Sequence, residues 1–340
     1  MRAVLTALAL PTVMARLGCA PDSPGVPVGG QAVIEGVMMR GPDRWTVAVR
    51  RAGGGLATTA AACRPWTRRR PLLGRPFLRG GVVLLESMIL GLKALNYSAE
   101  VAAAEATAAE ATADNEAGSA AQSQPALGFW PLALTLAAAF ALALGLFVAL
   151  PHVFSLLLGR VWDFDETSGW FHLLDGVFKF AFFLGYVQAI GLIPEIRRVY
   201  AYHGAEHQAI FAFEAGDSPL TPERAARHPL CHPRCGTAFI FLVLALSILF
   251  FAAVFPLFFP ADGAFAPIRT IAGIGLKIAL LLPLAGLAYE VTRLAGRAAP
   301  GSLWRILSGP GLWMQRLTTR RPDEAQLEVA LVALERAVAA

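Results

Sequence analysis

Charge is scarce in this sequence. Only 16% of its 340 residues are Asp, Glu, Lys or Arg, and 56% are hydrophobic, whereas a soluble domain usually carries about a quarter charged and about half apolar. Together with a mean hydropathy of +0.55, that shortage excludes an ordinary soluble domain and predicts an integral membrane protein. Lysine is nearly absent, with Lys93, Lys179 and Lys277 the whole complement, and the net charge of +5 is scattered along the chain. That pattern excludes a nucleic-acid-binding face. The four cysteines, Cys19, Cys63, Cys231 and Cys235, are too few and too unevenly spaced for the disulfide framework of a small secreted domain.

What the chain does have is long uncharged runs. A helix needs roughly 20 apolar residues to cross a bilayer core, and four stretches qualify: 127–150, 177–194, 237–259 and 268–289. The first carries Trp130 near one end, where an indole suits the interface. The second is preceded by His172 and Asp175 and contains Lys179, and this spacing puts all three on one helical face at the interface. In the fourth, Lys277 must face a partner, a cavity or the headgroups. Arg197, Arg198, Arg234, Arg293 and Arg297 flank the spans on one side. Opposite them stand Arg160 and Arg269 among Asp163, Asp165, Glu166 and Asp262. The preference for positive charge inside therefore places both termini and the loop 195–236 on the cytoplasmic face of a bacterial inner membrane. The start of the chain imitates a signal peptide with a lipobox-like Cys19. Arg16 within that box and the Arg-rich stretch 40–79 both oppose export.

The expected architecture is an all-α polytopic membrane protein of four transmembrane helices, with a small N-terminal β element and cytoplasmic or interfacial helices. Residues 1–28 form a disordered extension. Residues 29–79 form a cytoplasmic β-rich element in which Val47 and Val49 share a face and Gly53-Gly54-Gly55 offers a turn. Residues 80–97 make an interfacial or buried helix, broken by Glu86 and Lys93 and too short to span. Residues 98–126 are an Ala-rich linker of high helix propensity without an apolar stripe. The four-helix transmembrane bundle occupies 127–293. Residues 294–340 hold an interfacial segment, with Trp304, Trp313, Arg305 and Arg316, split in two by Pro310 and Gly311. A C-terminal cytoplasmic helix follows, with Leu327, Leu331, Leu334 and Val338 at helical spacing.

Candidate chemistry concentrates in the loop 195–236, which holds Tyr202-His203-Gly204-Ala205-Glu206-His207 and Cys231-His232-Pro233-Arg234-Cys235-Gly236. His203 and His207 at i, i+4 project from one helix face, as two imidazoles must to share a metal ion. The order HxxEH is also that of inverted zinc peptidases, whose Glu is a general base. Imidazole and thiolate are the usual zinc ligands, and a helix N-terminus at Gly236 favours thiolate at Cys235. His203, His207, His232 and Cys235 are thus the candidate ligands of zinc or another divalent metal, and Glu206 the candidate catalytic base. Four protein ligands would make a closed structural site, and three would leave an open position for catalysis. The competing reading is a polar cluster satisfied within itself at headgroup level. Cys231 could stand in for Cys235, although a cytoplasmic face opposes a disulfide between them. Glu290 could reach this loop or pair with Arg293 at i+3. Glu35, an acid in a mostly apolar stretch, could support the site or face solvent from an edge strand.

Five strings carry a resemblance to a known family: GGQAVIEGVMMRGP at 29–42, YHGAEH at 202–207, HPRCGT at 232–237, YEVTRLAGR at 289–297 and PGLWMQRLTT at 310–319. They resemble the uncharacterised bacterial and plastid membrane proteins typified by YqhQ, a group labelled metal-dependent enzymes without an established reaction. The likeness extends from Gly29 to about Ala333. It implies motif positions for Gln31, Glu35, Arg40, His203, Glu206, His207, His232, Cys235, Glu290 and Arg293, so that Glu35, Arg40, Glu290 and Arg293 would support the ligands. Cys231 falls outside the pattern, and Gln208 stands where the family more often has Lys. Three functions are open at this point. One is a zinc-dependent hydrolase of a peptide or lipid. Another is a non-enzymatic scaffold or assembly factor with a structural metal. The third is a transporter, suggested by Lys277 and the Asp175/Lys179 pair. The implied partners are the lipid bilayer and an unidentified protein partner or substrate, with no nucleic acid. A homo-oligomer would supply further helices.

Overall fold

Four short strands follow one another in sequence: β1 (Gly29–Val33), β2 (Gly36–Arg40), β3 (Arg44–Arg50) and β4 (Leu56–Ala62). They pair in that order as an antiparallel meander, with Gly36 opposite Val49 and Arg40 opposite Trp45. The computed structural model describes residues 28–117, 129–163, 168–258, 266–297 and 302–339. The expected extension before Val28 therefore lies outside the described residues. Gly54 and Gly55 turn the chain between β3 and β4 at φ +87° and +81°, a left-handed conformation that glycine enters without steric cost.

The strands alternate as a period of two requires. Val33, Met38, Val47 and Val49 face one way, onto Leu90 and Ala94. Val37, Met39 and Ala48 face the other way, onto Tyr202, Ala205, Ala209, Leu327, Leu331 and Leu334. Each fully buried aliphatic side chain of this kind contributes about 1.5–3 kcal/mol. The central strands β2 and β3 are therefore covered on both faces, whereas most of β1 and β4 is exposed or half-buried.

The helix on the first face is α1 (Leu78–Ala117). It replaces two expected pieces, the helix 80–97 and most of the Ala-rich linker. The stretch expected as a linker is helical as far as Ala117, while 118–126 lie outside the described residues. High alanine content propagates a helix already nucleated by packing. The first membrane-like run begins with α2 (Phe129–Leu144), which passes through a π-helical turn at Gly145–Ala149 into α3 (Leu150–Trp162). Pro151 lacks the N–H that a regular helix would use there, and the widened turn absorbs the loss. Then come α4 (Gly169–Ile190), α5 (Pro194–Glu214), α6 (Gly236–Phe258), α7 (Ala266–Arg297), α8 (Leu303–Thr318) and α9 (Glu324–Val338). The break expected at Pro310 and Gly311 does not occur, and α8 runs through both. Asp323 caps α9, accepting the Gln326 N–H at 2.7 Å while Gln326 Oε1 accepts the Asp323 N–H at 3.0 Å, a reciprocal capping box.

Among the described residues, three helical stretches are long and apolar enough to cross a membrane: Ala137–Trp162, Gly169–Ile190 and Gly236–Val254. No more than 17% of the most apolar part of each is buried, so these faces lack a protein core to cover them. The first lies further along the chain than the run 127–150. The second starts before 177 and takes in His172 and Asp175, with Asp175 paired to Lys179 at 2.5 Å. The expected fourth run lies within α7, which is helical throughout but is not among these three.

The chain divides into two compact units. One contains the described residues up to Ala108 together with Ile190–Leu242 and those from Ala285 onward, and the other contains Ala109–Ala189 and Val243–Leu284. In the second unit, Phe154 packs on Phe178 and Phe182 with centroids 5.6 Å apart in both cases. In the first, Arg79 of α1 forks onto Glu290, with Nε 2.6 Å from Oε1.

Candidate metal centre

The helix α5 carries the HxxEH string and is buried along most of that length: Tyr202, Ala205, Glu206, His207 and Gln208 are all inaccessible or nearly so. Burial against the sheet and α9 fixes the helix, and the i, i+4 spacing then sends His203 and His207 the same way. Their rings lie 4.5 Å apart. Each ring is anchored at Nδ1 by a backbone carbonyl: His203 donates to Thr318 O at 2.9 Å and His207 to Leu230 O at 2.5 Å. Such an outer hydrogen bond sets the tautomer and leaves Nε2 for another partner.

Cys235 supplies that partner. Its Sγ lies 3.2 Å from His203 Nε2 and 3.1 Å from Thr237 Oγ1. The ligand atoms of His203, His207 and Cys235 all lie within 4.8 Å of one another. His207 Nε2 is buried and has no hydrogen-bond partner among the described residues. A buried ring nitrogen left in this way is costly in an apolar interior. An N₂S set with one unanswered lone pair is what a borderline-soft divalent ion such as zinc would satisfy, so the residues fit the metal expected from sequence.

The electrostatics agree with that fit. Burial works to raise the Cys235 thiol, but the imidazoles of His203 and His207 outweigh it and hold the group well below its ordinary range. Burial works to lower His203, and the Cys235 thiolate with the Glu206 carboxylate reverses this, lifting it to about 9. Without metal the site therefore keeps a proton on nitrogen beside a thiolate, a positive charge that a cation would replace. Glu206 is raised chiefly by its burial, against the opposing pull of His207 and His203. Gly30 of β1 lies directly on Glu206: a Cβ there would come within 2.7 Å of Glu206 Cγ and 2.8 Å of Oε1. The backbone N–H of Gly30 also donates to this carboxylate.

His232 is the exception among the expected ligands. It falls outside the three-residue group, and its Nε2 lies 3.5 Å from Glu214 Oε2, an acid that Arg234 also pairs. Its ring packs on Phe211 with centroids 4.5 Å apart. The His232 backbone is clasped by Gln315, whose Oε1 accepts its N–H at 2.7 Å and whose Nε2 donates to its carbonyl at 2.8 Å. Gln315 is fully buried. It was not singled out from the sequence, and nor were Glu214 or the carbonyls of Leu230 and Thr318, because a backbone acceptor leaves no residue-type signal. Gln208, at the position where the resemblance favours lysine, donates to the carbonyls of Ala226 and His228 at 3.2 and 2.7 Å.

The four expected supporting residues form ion pairs of their own. Glu35, at φ +50° between β1 and β2, takes Arg198 Nε and Nη2 at 2.6 and 2.5 Å and the Tyr202 hydroxyl at 3.3 Å. Arg40 reaches Glu86 at 2.8 Å. Glu290 binds Arg79 and lies 3.9 Å from Arg293. Glu35 therefore does not face solvent unpaired, and the polar groups of α1 and α5 tie the helices to the sheet.

Residues 75–340 match the family described as Protein of unknown function (DUF1385). The chain belongs to that family. The Uncharacterized protein YqhQ of Bacillus subtilis (strain 168) is 29% identical over 303 residues, which is 89% of this chain and 89% of that protein. The resemblance read from the five strings is thus shown, and the family's function is unknown. No solved structure matches. The matched region contains His203, Glu206, His207 and Cys235 and begins after the four strands.

Proposed function

We propose that this protein is an inner-membrane, zinc-dependent hydrolase acting on a peptide or lipid at the cytoplasmic face. His203, His207 and Cys235 hold the ion, and Glu206 handles the proton. The observation that carries this reading is the convergence of two imidazoles, each pinned at Nδ1 by a carbonyl, on one thiolate. Three protein ligands leave a coordination position open, the arrangement used for catalysis, and a bound zinc ion supplies Lewis acidity there. Glu206 is suited to accept and return a proton because burial brings its acidity closer to neutrality. Gly30 positions its carboxylate from the side of the sheet.

Membrane placement rests on the three long apolar helices and on the path of the chain. It leaves the first unit after Ala108 and returns at Ile190, then leaves after Leu242 and returns at Ala285. If the first unit lies wholly on one side, each excursion crosses an even number of times, which supports the reading of four spans with α7 as the last. The arginines at 197, 198 and 234 favour the cytoplasm for that side.

A structural metal in a scaffold is the second reading, favoured by one observation. Two clefts of the first unit, of about 540 and 490 Å³, are lined by none of the four site residues. Elemental analysis of detergent-purified protein separates the outcomes. The hydrolase reading expects about one zinc per chain, lost in His203→Ala and kept in Glu206→Gln, with Glu206→Gln abolishing turnover. Zinc present with an unaffected Glu206→Gln variant favours the scaffold. No stoichiometric metal in folded protein removes both.

A further inference from the structure

A concentration of positive charge in the first unit has no part in the metal centre. Arg197 and Arg198, at the start of α5, and Arg320 and Arg321, between α8 and α9, line one cleft of about 540 Å³ together with Asp323 and Gln326. Four guanidiniums around one cavity repel each other unless negative charge answers them. The cleft's own acid, Asp323, caps α9 through its bond from the Gln326 N–H and keeps its charge, so with Glu35 it answers at most two of the four guanidiniums. Arg198 is matched by Glu35 through Nε and Nη2, which leaves Nη1 without a hydrogen bond among the described residues. Arg197, Arg320 and Arg321 have no ion-pair partner among the described residues.

The two arms of the cleft are fixed before any ligand arrives. The Arg320 N–H donates to Tyr200 O at 2.9 Å, which ties the α8–α9 connection to α5. Gly204 allows that approach, because a side chain there would strike the Arg320 carbonyl. Pro322 further restricts the connection. The guanidiniums therefore project from rigid backbone, and their entropic cost of engagement falls on side chains alone. Guanidinium forks match tetrahedral oxyanions through parallel N–H donors. A carboxylate ligand would occupy one fork, whereas a phosphate offers enough oxygens for several.

We propose that this cleft binds a phosphate-bearing anion through Arg197, Arg320, Arg321 and Nη1 of Arg198. The chemistry is shared by a soluble phosphomonoester and by the phosphate of a lipid headgroup. The site is independent of the metal centre.

The test uses the full-length protein in non-ionic detergent, titrated calorimetrically with inorganic phosphate and pyrophosphate. In parallel, the protein in phosphatidylcholine nanodiscs, with or without phosphatidic acid, is followed by its thermal unfolding midpoint. We expect a saturable response to at least one probe, weakened about tenfold or more in R320Q/R321Q. The response should be unchanged in R69Q/R70Q, which removes equal charge elsewhere, and zinc content should be unchanged in both variants. A response to inorganic anions identifies a soluble ligand, and a response confined to phosphatidic acid identifies a headgroup; both support the site. If R320Q/R321Q loses the wild-type unfolding transition, R197Q on the opposite arm gives the same readout. Failure of folded wild-type protein to respond to either probe overturns the proposal, as does equal weakening by R69Q/R70Q.

Discussion

Substituting Gly30 by Ala probes the contact between the sheet and the candidate base without touching a ligand. The added methyl would meet three atoms closer than 3.0 Å: Glu206 Cγ at 2.7 Å, Glu206 Oε1 at 2.8 Å and the Met38 carbonyl at 2.8 Å. The carbonyl belongs to the β1–β2 ladder, in which Gly30 faces Met39 and Gln31 faces Met38, so it cannot retreat without shifting the register. Overpacking of this kind costs about 1–3 kcal/mol. In a Glu206→Ala background two of the three close contacts vanish, and the cost of Gly30→Ala should fall by about 1 kcal/mol or more. At about 2–4 °C per kcal/mol, the difference is measurable as a double-mutant cycle of thermal midpoints followed by tryptophan fluorescence. Metal content should be unchanged in Gly30→Ala, because His203, His207 and Cys235 stay where they are. An equal cost in both backgrounds would show that β1 does not rest on Glu206, and the account of the base would fall.

Two further outcomes follow from the electrostatics. Metal-free protein should alkylate at Cys235 well below the ordinary thiol range, because the thiolate is held by His203 and His207. Added zinc should protect it, and alkylation that tracks an ordinary thiol and ignores zinc would contradict the site. Glu290 is held below its ordinary value of 4.5 by its hydrogen bond from Arg79. A depressed folded-state value gives stability that is present above pH 4.5 and lost as the pH falls through the folded value. The stability gap between wild type and Arg79→Gln should therefore narrow from about pH 6 to about pH 3, and a constant gap in chemical denaturation would refute the pairing.

Much of the local structure is legible in the chain. Val47 and Val49 do share a buried face, and Gly54 and Gly55 do make a turn. Leu327, Leu331 and Leu334 do form the buried stripe of a capped helix. These features depend on short-range geometry, the periods of two and 3.6 and the steric freedom of glycine. The Ala-rich stretch lacks an apolar stripe, yet α1 continues through it to Ala117, held early on by Leu90, Ala94, Tyr97 and Val101 against the sheet and by Glu105, which accepts the Ala52 N–H. Pro310 suggested a break that does not occur, since its neighbourhood is held from outside: Gly311 packs with a would-be Cβ only 2.9 Å from that of Ala238.

The site divides in the same way. Composition and hydropathy by themselves determined that long apolar helices exist. The i, i+4 spacing determined that His203 and His207 share a face, and the strings determined the family. Only tertiary structure decided which sulfur joined them and that His232 did not. It brought Cys235 to His203 and turned His232 to Glu214. It set Gly30, from the opposite end of the chain's order, against Glu206, and it placed α9 under a sheet formed some 270 residues earlier, where Arg50 binds the Ala325 carbonyl and Glu328. The physical reason is that ligand geometry depends on backbone carbonyls and on close approach between distant segments. Neither leaves a mark in residue type, whereas periodicity and burial potential do.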